Sequence, residues 1–247
     1  MNKEQIQEFV EANKVALTEQ NKFSRCVDGR YEHNTDYPMI AKPGGDAGDI
    51  MTIISALNIL NVNVEEQKIV DLVIQELGGA EYFNFHTDDH ADPNVPGIGC
   101  GHLKQAKLDP IAYGLEQEQI DFIFAELPSL LSQGSHQEVL HGDHAEQAVF
   151  VVDSEAYGLL PMTTENSEVQ EVFVYQKTLH MQQLKNFATK LHSMLLEEGH
   201  AFEEHEILKA LDDAFSKQLT ETLGRLAKGL PVFIVKISET GEVEIIE

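Results

Sequence analysis

Helix-like and strand-like segments alternate along most of this chain, and that alternation most constrains its fold. Residues 147–152 and 171–175 are short apolar runs typical of buried strands, and residues 177–196 follow with a long helical pattern. The last residues form two alternating runs around Glu-Thr-Gly-Glu at 239–242, which predicts a hairpin. The alternation of helices and strands predicts a three-layer α/β domain.

Other segments add detail to this α/β prediction. The sequence predicts a short strand at 81–86 and the beginning of a helix in CGHLKQA (100–106). No internal repeat or linker divides the 247 residues, so a single domain over 1–247 is expected. The remaining predicted helices are 1–20 (an N-terminal arm), 50–60 (capped by Asp49), 65–77 (ended by Gly78), 115–132 and 203–227.

The charge of the chain argues against two classes of partner. Its 42 acidic and 17 basic residues give a formal charge of −25, whereas nucleic acids and anionic membranes are bound by clustered Lys and Arg. No apolar run approaches the roughly 20 residues of a membrane span. The polar N-terminus does not resemble a signal peptide, so a cytoplasmic protein is expected.

Both cysteines have polar neighbours in the sequence, a setting that suits metal binding or nucleophilic chemistry. Cys26 opens the segment CVDGR, where the extended spacing places Cys26, Asp28 and Arg30 on one side. Cys100 precedes a predicted helix, whose dipole favours a thiolate. Between the two cysteines, His86 ends the predicted strand and His90 follows it.

Two thiolates and one imidazole would leave zinc one open position, as in catalytic zinc sites. Three other interpretations of these residues stay open at this point. The cysteines could form a disulfide, they could be inert buried thiols, or a Cys–His pair could act as a nucleophile. Zinc is favoured among the four.

The wider context resembles a known family. CVDGR (26–30) matches the Cys-x-Asp-x-Arg motif of β-class carbonic anhydrases, and IAKPGGDAGDI (40–50) is similar to their Arg-Asn-Ala-Gly segment. FNFH (83–86) followed by CGHLKQA is similar to the family's second motif, His-x-x-Cys-Gly leading into a helix. Thirteen residues separate His86 from Cys100 where the β class has two. The longer loop most resembles the limiting-CO2-inducible B/C group, the θ-class carbonic anhydrases.

The resemblance implies a β-carbonic-anhydrase-like fold with a central, mostly parallel sheet flanked by helices. It implies that Cys26, His86 and Cys100 bind Zn²⁺, with His90 as the alternative histidine. A zinc-bound hydroxide would then hydrate CO2 to bicarbonate and a proton. Asp28 would orient that hydroxide, and Arg30 would pair with Asp28.

The resemblance leaves two alternative functions and one assembly prediction. A related zinc hydrolase would act on CS2 or COS, and a regulatory homologue would keep zinc as a structural ion. The intact Asp28–Arg30 dyad favours an enzyme over that homologue. The family's dimeric fold implies a homodimer in which the N-terminal helix packs on the second subunit.

Histidines outside the motif segments and one glycine-rich segment are further features of the sequence. His141 and His144 precede a strand, where they favour a polar loop over a role at the edge of the active site or a second metal site. His102 is expected in the first helical turn after Cys100, and His180 on the surface. The glycine-rich segment 44–48 lacks the P-loop ending and predicts a tight turn beside the metal pocket.

Overall fold

A four-stranded sheet is the centre of the fold. It contains β4 (Glu146–Asp153), β6 (Gln170–Gln176), β7 (Val232–Ile237) and β8 (Val243–Ile246), in the order β6-β4-β7-β8. Strand β4 runs parallel to β6 and β7, and β8 pairs antiparallel with β7 as the predicted hairpin. The fold is therefore mixed α/β with a small, mostly parallel sheet. The computed structural model describes residues 2–18, 24–27, 40–85, 101–131, 146–159, 170–226 and 231–246.

A second, shorter strand pair lies beside the sheet. Strands β2 (Ser24–Cys26) and β3 (Ile40–Lys42) run parallel, and all of their residues are buried. The backbone N–H of Val174 in β6 donates to the carbonyl of Val27 over 3.0 Å. This hydrogen bond joins the short pair to the edge of the main sheet.

The N-terminal helix is shorter than predicted. Helix α1 (Lys3–Asn13) begins with an Asn2–Gln5 capping box, and the chain then becomes strand β1 (Lys14–Ala16). The prediction of a helix over 1–20 is therefore wrong at Lys14–Ala16, and residues 19–20 lie outside the described residues. Pairing of β1 with β5 (Tyr157–Leu159) overrides the helical pattern, because long-range pairing outweighs a weak local preference.

Helices cover both faces of the sheet around β4. On one face Phe150 stacks against Phe9 of α1 at a centroid distance of 5.4 Å, and α1 buries Ile6 and Val10 in the same cluster. On the other face Val149 and Tyr175 join the core formed by the remaining helices. No helix within the described ranges is long and apolar enough to cross a bilayer. The other helices are α2 (Asp46–Ile59), α3 (Glu66–Leu77), α4 (His102–Leu108), α5 (Gln117–Leu131), α6 (Lys177–Glu197) and α7 (Glu204–Leu226).

Two further local predictions differ from the structure. The helix predicted over 50–60 begins earlier, at Asp46, so Asp49 lies in its first turn and does not cap it. The strand predicted over 81–86 is instead a 3-10 turn at Ala80–Tyr82, followed by an isolated bridge between Phe85 and Gly45. The alternating pattern therefore makes a single strand-like contact, at Phe85, in place of a ladder.

Candidate functional site

Cys26 ends strand β2 in the interior of the protein. Its side chain is about 1% exposed and its thiol is free. In the parallel register Cys26 lies opposite Lys42, and the N–H of Val27 donates to the Lys42 carbonyl over 3.1 Å. The candidate thiol is therefore positioned by the end of β3.

The segment after Lys42 is a tight turn that only glycine can form at two positions. Gly44 and Gly45 have φ angles of 73° and 63°, in the left-handed region. A Cβ at Gly44 would lie 2.9 Å from Cδ2 of His102, and one at Gly45 would lie 2.6 Å from the carbonyl oxygen of Asn84. The glycines thus allow the start of α4 and residues 84–85 to approach the same turn. The tight turn predicted for the glycine-rich segment 44–48 is confirmed.

Asp46 fastens the Asn84 backbone to this turn. The Asp46 N–H donates to the Asn84 carbonyl over 2.6 Å, and the Asn84 N–H donates to Oδ2 of Asp46 over 2.7 Å. The Phe85–Gly45 bridge continues the contact by one residue. The segment that ends at Phe85 is therefore held against the turn by backbone and side-chain hydrogen bonds together.

Lys42 is the centre of a buried polar network that we call the Lys42 network: Lys42, Asp46, Asp49, His180 and Gln183. The Lys42 Nζ is 3.0 Å from Oδ1 of Asp46 and donates to Oε1 of Gln183 over 2.7 Å. It also forms an ion pair with Oδ2 of Asp49. The other Asp49 oxygen, Oδ1, lies 2.9 Å from Nε2 of His180. All five side chains are buried.

Burial and ion pairing have opposite effects on the pKa values of the charged groups in this network. Burial opposes the charged form of Lys42, but Asp49 and Asp46 outweigh it and raise the pKa of the ammonium. Burial also opposes the charged form of Asp49, yet Lys42 and His180 together lower its pKa. For Asp46, burial dominates over the attraction of Lys42 and raises the pKa. The network thus has a charged Lys42–Asp49 pair at its centre.

His180 is a neutral member of the network. Burial lowers its pKa despite the adjacent Asp49. Its ring packs edge-on against Phe215 of α7 at a centroid distance of 4.4 Å, and Tyr175 Oη is 3.5 Å from Nδ1. The prediction that His180 lies on the surface is therefore wrong, because its face of α6 packs into the core.

A second polar group fixes the beginning of α4. Nδ1 of His102 lies 2.6 Å from Oγ1 of Thr222 in α7, and Tyr113 Oη lies 3.2 Å from the same oxygen. Burial lowers the pKa of His102 to about 3, so the imidazole is neutral. His102 is buried in the first turn of α4, and its ring faces the Gly44 turn.

Among the residues predicted to bind zinc or to act in catalysis, Cys26 is the one that the structure describes. Cys26 lies within the described part of the chain, at the end of a buried strand. Among the described residues no group of three His, Cys, Asp or Glu side chains has the arrangement of a metal site. The remaining predicted residues lie outside the described residues: Asp28, Arg30, His86, His90, Cys100, His141 and His144.

Neither Lys42 nor His180 was predicted from the sequence to belong to a polar network. A signal for His180 was present, because His180, Leu184, Phe187 and Leu191 recur at helical spacing and are all buried. For Lys42 the signal was weaker. It directly follows the apolar residues 39–41 and precedes Pro43, a position that does not by itself predict burial.

Comparisons with protein-family models, with curated proteins and with solved structures give no match to this chain.

Proposed function

We propose that this chain is a zinc-dependent carbonic anhydrase that reversibly hydrates CO2 to bicarbonate and a proton. Cys26, His86 and Cys100 would hold the ion, a donor set that suits zinc because two thiolates and an imidazole leave one position open. Zinc would act as a Lewis acid that lowers the pKa of bound water toward neutrality. Asp28 would orient the attacking oxygen and Arg30 would pair with Asp28, as the Cys-x-Asp-x-Arg motif implies.

One observation supports this proposal: the described residues beside all three proposed ligands converge on the turn at 43–48. Cys26 lies opposite Lys42 in the strand pair, immediately before the turn. Phe85, which directly precedes His86 in the chain, bridges to Gly45 within the turn. His102, two residues after Cys100, packs its ring against Gly44. Segments distant in sequence thus approach one glycine turn, as a ligand set drawn from three segments requires.

The chemistry of the described ligand is also compatible with a metal site. Cys26 is a buried, free thiol at a strand end, and thiols are common ligands of zinc. A small-molecule substrate such as CO2 needs little room in such a site. The cytoplasmic location and the homodimer stay predictions; the buried face of α1 packs on its own sheet.

The proposal is tested by stopped-flow CO2 hydration and by metal analysis of the full-length chain after zinc loading. We expect one zinc per chain and an activity that chelation removes and zinc restores. Zinc bound without hydration would contradict the proposed reaction and favour a CS2 or COS hydrolase or a regulatory homologue. A chain that binds no zinc would contradict the proposal entirely.

Single variants assign the ligands. Cys26→Ser and His86→Ala are expected to lose the metal, and Asp28→Ala to keep zinc but lose hydration. His90→Ala and His205→Ala serve as matched histidine controls and should keep zinc; His205 is exposed on α7. Loss of zinc from His90→Ala and its retention by His86→Ala would assign the ligand to His90 instead.

A further inference from the structure

We propose that His180 is a positioning residue for the candidate metal site, acting through Asp49 and Lys42 on the strand end that carries Cys26. The inference rests on the proposed function, because it concerns how that site is held. His180 lies far along the chain from the motif residues, on a helix that the family motifs do not include. Each link between His180 and Cys26 is made by described residues.

The first link fixes the ring of His180. The ring of Phe215 lies nearly perpendicular to the imidazole of His180, with 4.4 Å between the two ring centroids. Nε2 lies 2.9 Å from Oδ1 of Asp49. An ionised carboxylate only accepts hydrogen bonds, so Nε2 carries the hydrogen and donates it. Nδ1 is left as the acceptor that faces Tyr175 Oη.

The second link passes through Asp49. One carboxylate oxygen accepts from His180 and the other pairs with the Lys42 ammonium. With both oxygens engaged, the carboxylate plane has a fixed orientation in the first turn of α2. A substitution at His180 therefore changes the orientation of the Asp49 carboxylate, whose other oxygen pairs with Lys42.

The third link fixes the Lys42 side chain. The Lys42 ammonium donates to Asp49 and to Gln183, and it lies 3.0 Å from Oδ1 of Asp46. Gln183 lies one turn beyond His180 on α6, so this helix supplies one contact to Lys42 directly and a second one through Asp49. These contacts hold the ammonium inside the network.

The last link is the strand pair itself. Lys42 is the register partner of Cys26, and its carbonyl accepts from the N–H of Val27 over 3.1 Å. Paired strands lie about 4.8 Å apart, so a shift at the end of β3 moves the end of β2 with it. His180 thereby determines where β2 presents the Cys26 thiol.

The test measures cobalt affinity of the full-length chain, because Co²⁺ bound to a thiolate has a charge-transfer absorption that reports on the Cys26 bond without catalysis. His180→Leu removes the donor to Asp49. Loss of a partner that orients a metal ligand weakens affinity or activity by about 10- to 100-fold, and we expect such a loss together with a changed absorption. His180→Gln can present an N–H near the position of Nε2, and we expect it to restore both readouts.

Leu184→Ala is the matched control, since Leu184 lies on the same buried face of α6 and makes no polar contact with Lys42. It should lower stability and leave cobalt affinity and absorption unchanged. Wild-type affinity and spectrum in His180→Leu would overturn the inference, as would equal defects in the Leu and Gln variants. A wild-type chain that binds neither cobalt nor zinc would overturn the proposed function first. A wild-type chain that binds metal, with an unaffected His180→Leu variant, would overturn this inference alone.

Discussion

The ammonium of Lys42 and the carboxylate of Asp49 form an ion pair in which each side chain is only about 1% exposed. Moving two charges out of water opposes folding, and their attraction offsets this only when further hydrogen bonds complete the geometry. Here Gln183 and His180 supply those bonds, one to each partner. Removing one member of such a pair leaves the other charge buried without compensation.

Lys42→Met is therefore expected to lower the free energy of unfolding by about 3–5 kcal/mol, the usual effect of breaking a buried pair. The measurement is denaturant unfolding of the apoprotein at neutral pH. Lys209→Met is the matched control, because the Lys209–Asp213 pair is exposed and its loss should leave the unfolding midpoint unchanged. Equal midpoints for Lys42→Met and wild type would refute a stabilising role for the pair.

Stability should fall with acid below pH 6.5, because His180 is held neutral by burial. Its pKa is lowered in the folded chain, so the unfolded chain takes up the proton first. The contribution of His180 is complete above about pH 6.5 and is lost as pH falls toward the lowered value. Burial is the largest cause of the lowered pKa, and the nearby Lys42 ammonium adds to it, whereas Asp49 and Asp46 oppose it.

This pH effect can be separated from other titrations by comparison with His180→Gln, which cannot titrate. The wild type should therefore lose more stability than the variant between pH 6.5 and pH 5. Unfolding curves of the two apoproteins at both pH values provide the measurement. Parallel losses in the two chains would show that His180 does not titrate on unfolding.

The Gly45 turn should not tolerate a side chain. A Cβ there would lie 2.6 Å from the Asn84 carbonyl oxygen, and the φ of 63° adds strain. We expect Gly45→Ala to lower both stability and metal content. Gly78→Ala, also at positive φ but with no atom within 4 Å of the added Cβ, should lower stability by only about 1 kcal/mol. Similar effects of the two substitutions, measured by unfolding and metal analysis, would argue against close packing at the turn.

Zinc should stabilise the folded chain by mass action. A ligand that binds only the folded state at 100 times its dissociation constant adds about 2.7 kcal/mol. Thermal unfolding with zinc and with a chelator is expected to give different midpoints in the wild type and the same midpoint in Cys26→Ser. A zinc-dependent shift that persists in Cys26→Ser would remove this cysteine from the ligand set.

The periodic parts of the sequence predicted the corresponding elements well. The apolar run at 147–152, the helical repeat at 177–196 and the terminal hairpin all appear as β4, α6 and β7–β8. The failures occur where partners distant in sequence decide the structure. Residues 14–16 leave the helical pattern to pair with β5, and Phe85 makes a single bridge with Gly45.

The candidate site shows the same division. Cys26 was predicted as a zinc ligand from its motif, because the residues of the CVDGR segment are adjacent in sequence. Lys42, Asp49 and His180 were not recognised as one network, because a sequence does not show which distant polar side chains will neutralise each other inside a core. Helical spacing marks His180 as buried, but only the packing of α6 against β3 brings it within reach of Asp49 in the first turn of α2.

Lys42 and Gln183 are separated by 141 positions along the chain. Contacts between distant residues require a large loop to close, which slows their formation. During synthesis the N-terminal part of a chain leaves the ribosome first. The Lys42 side chain therefore cannot complete its contacts until α6 has been synthesised, so β3 is made long before the helix that holds its lysine.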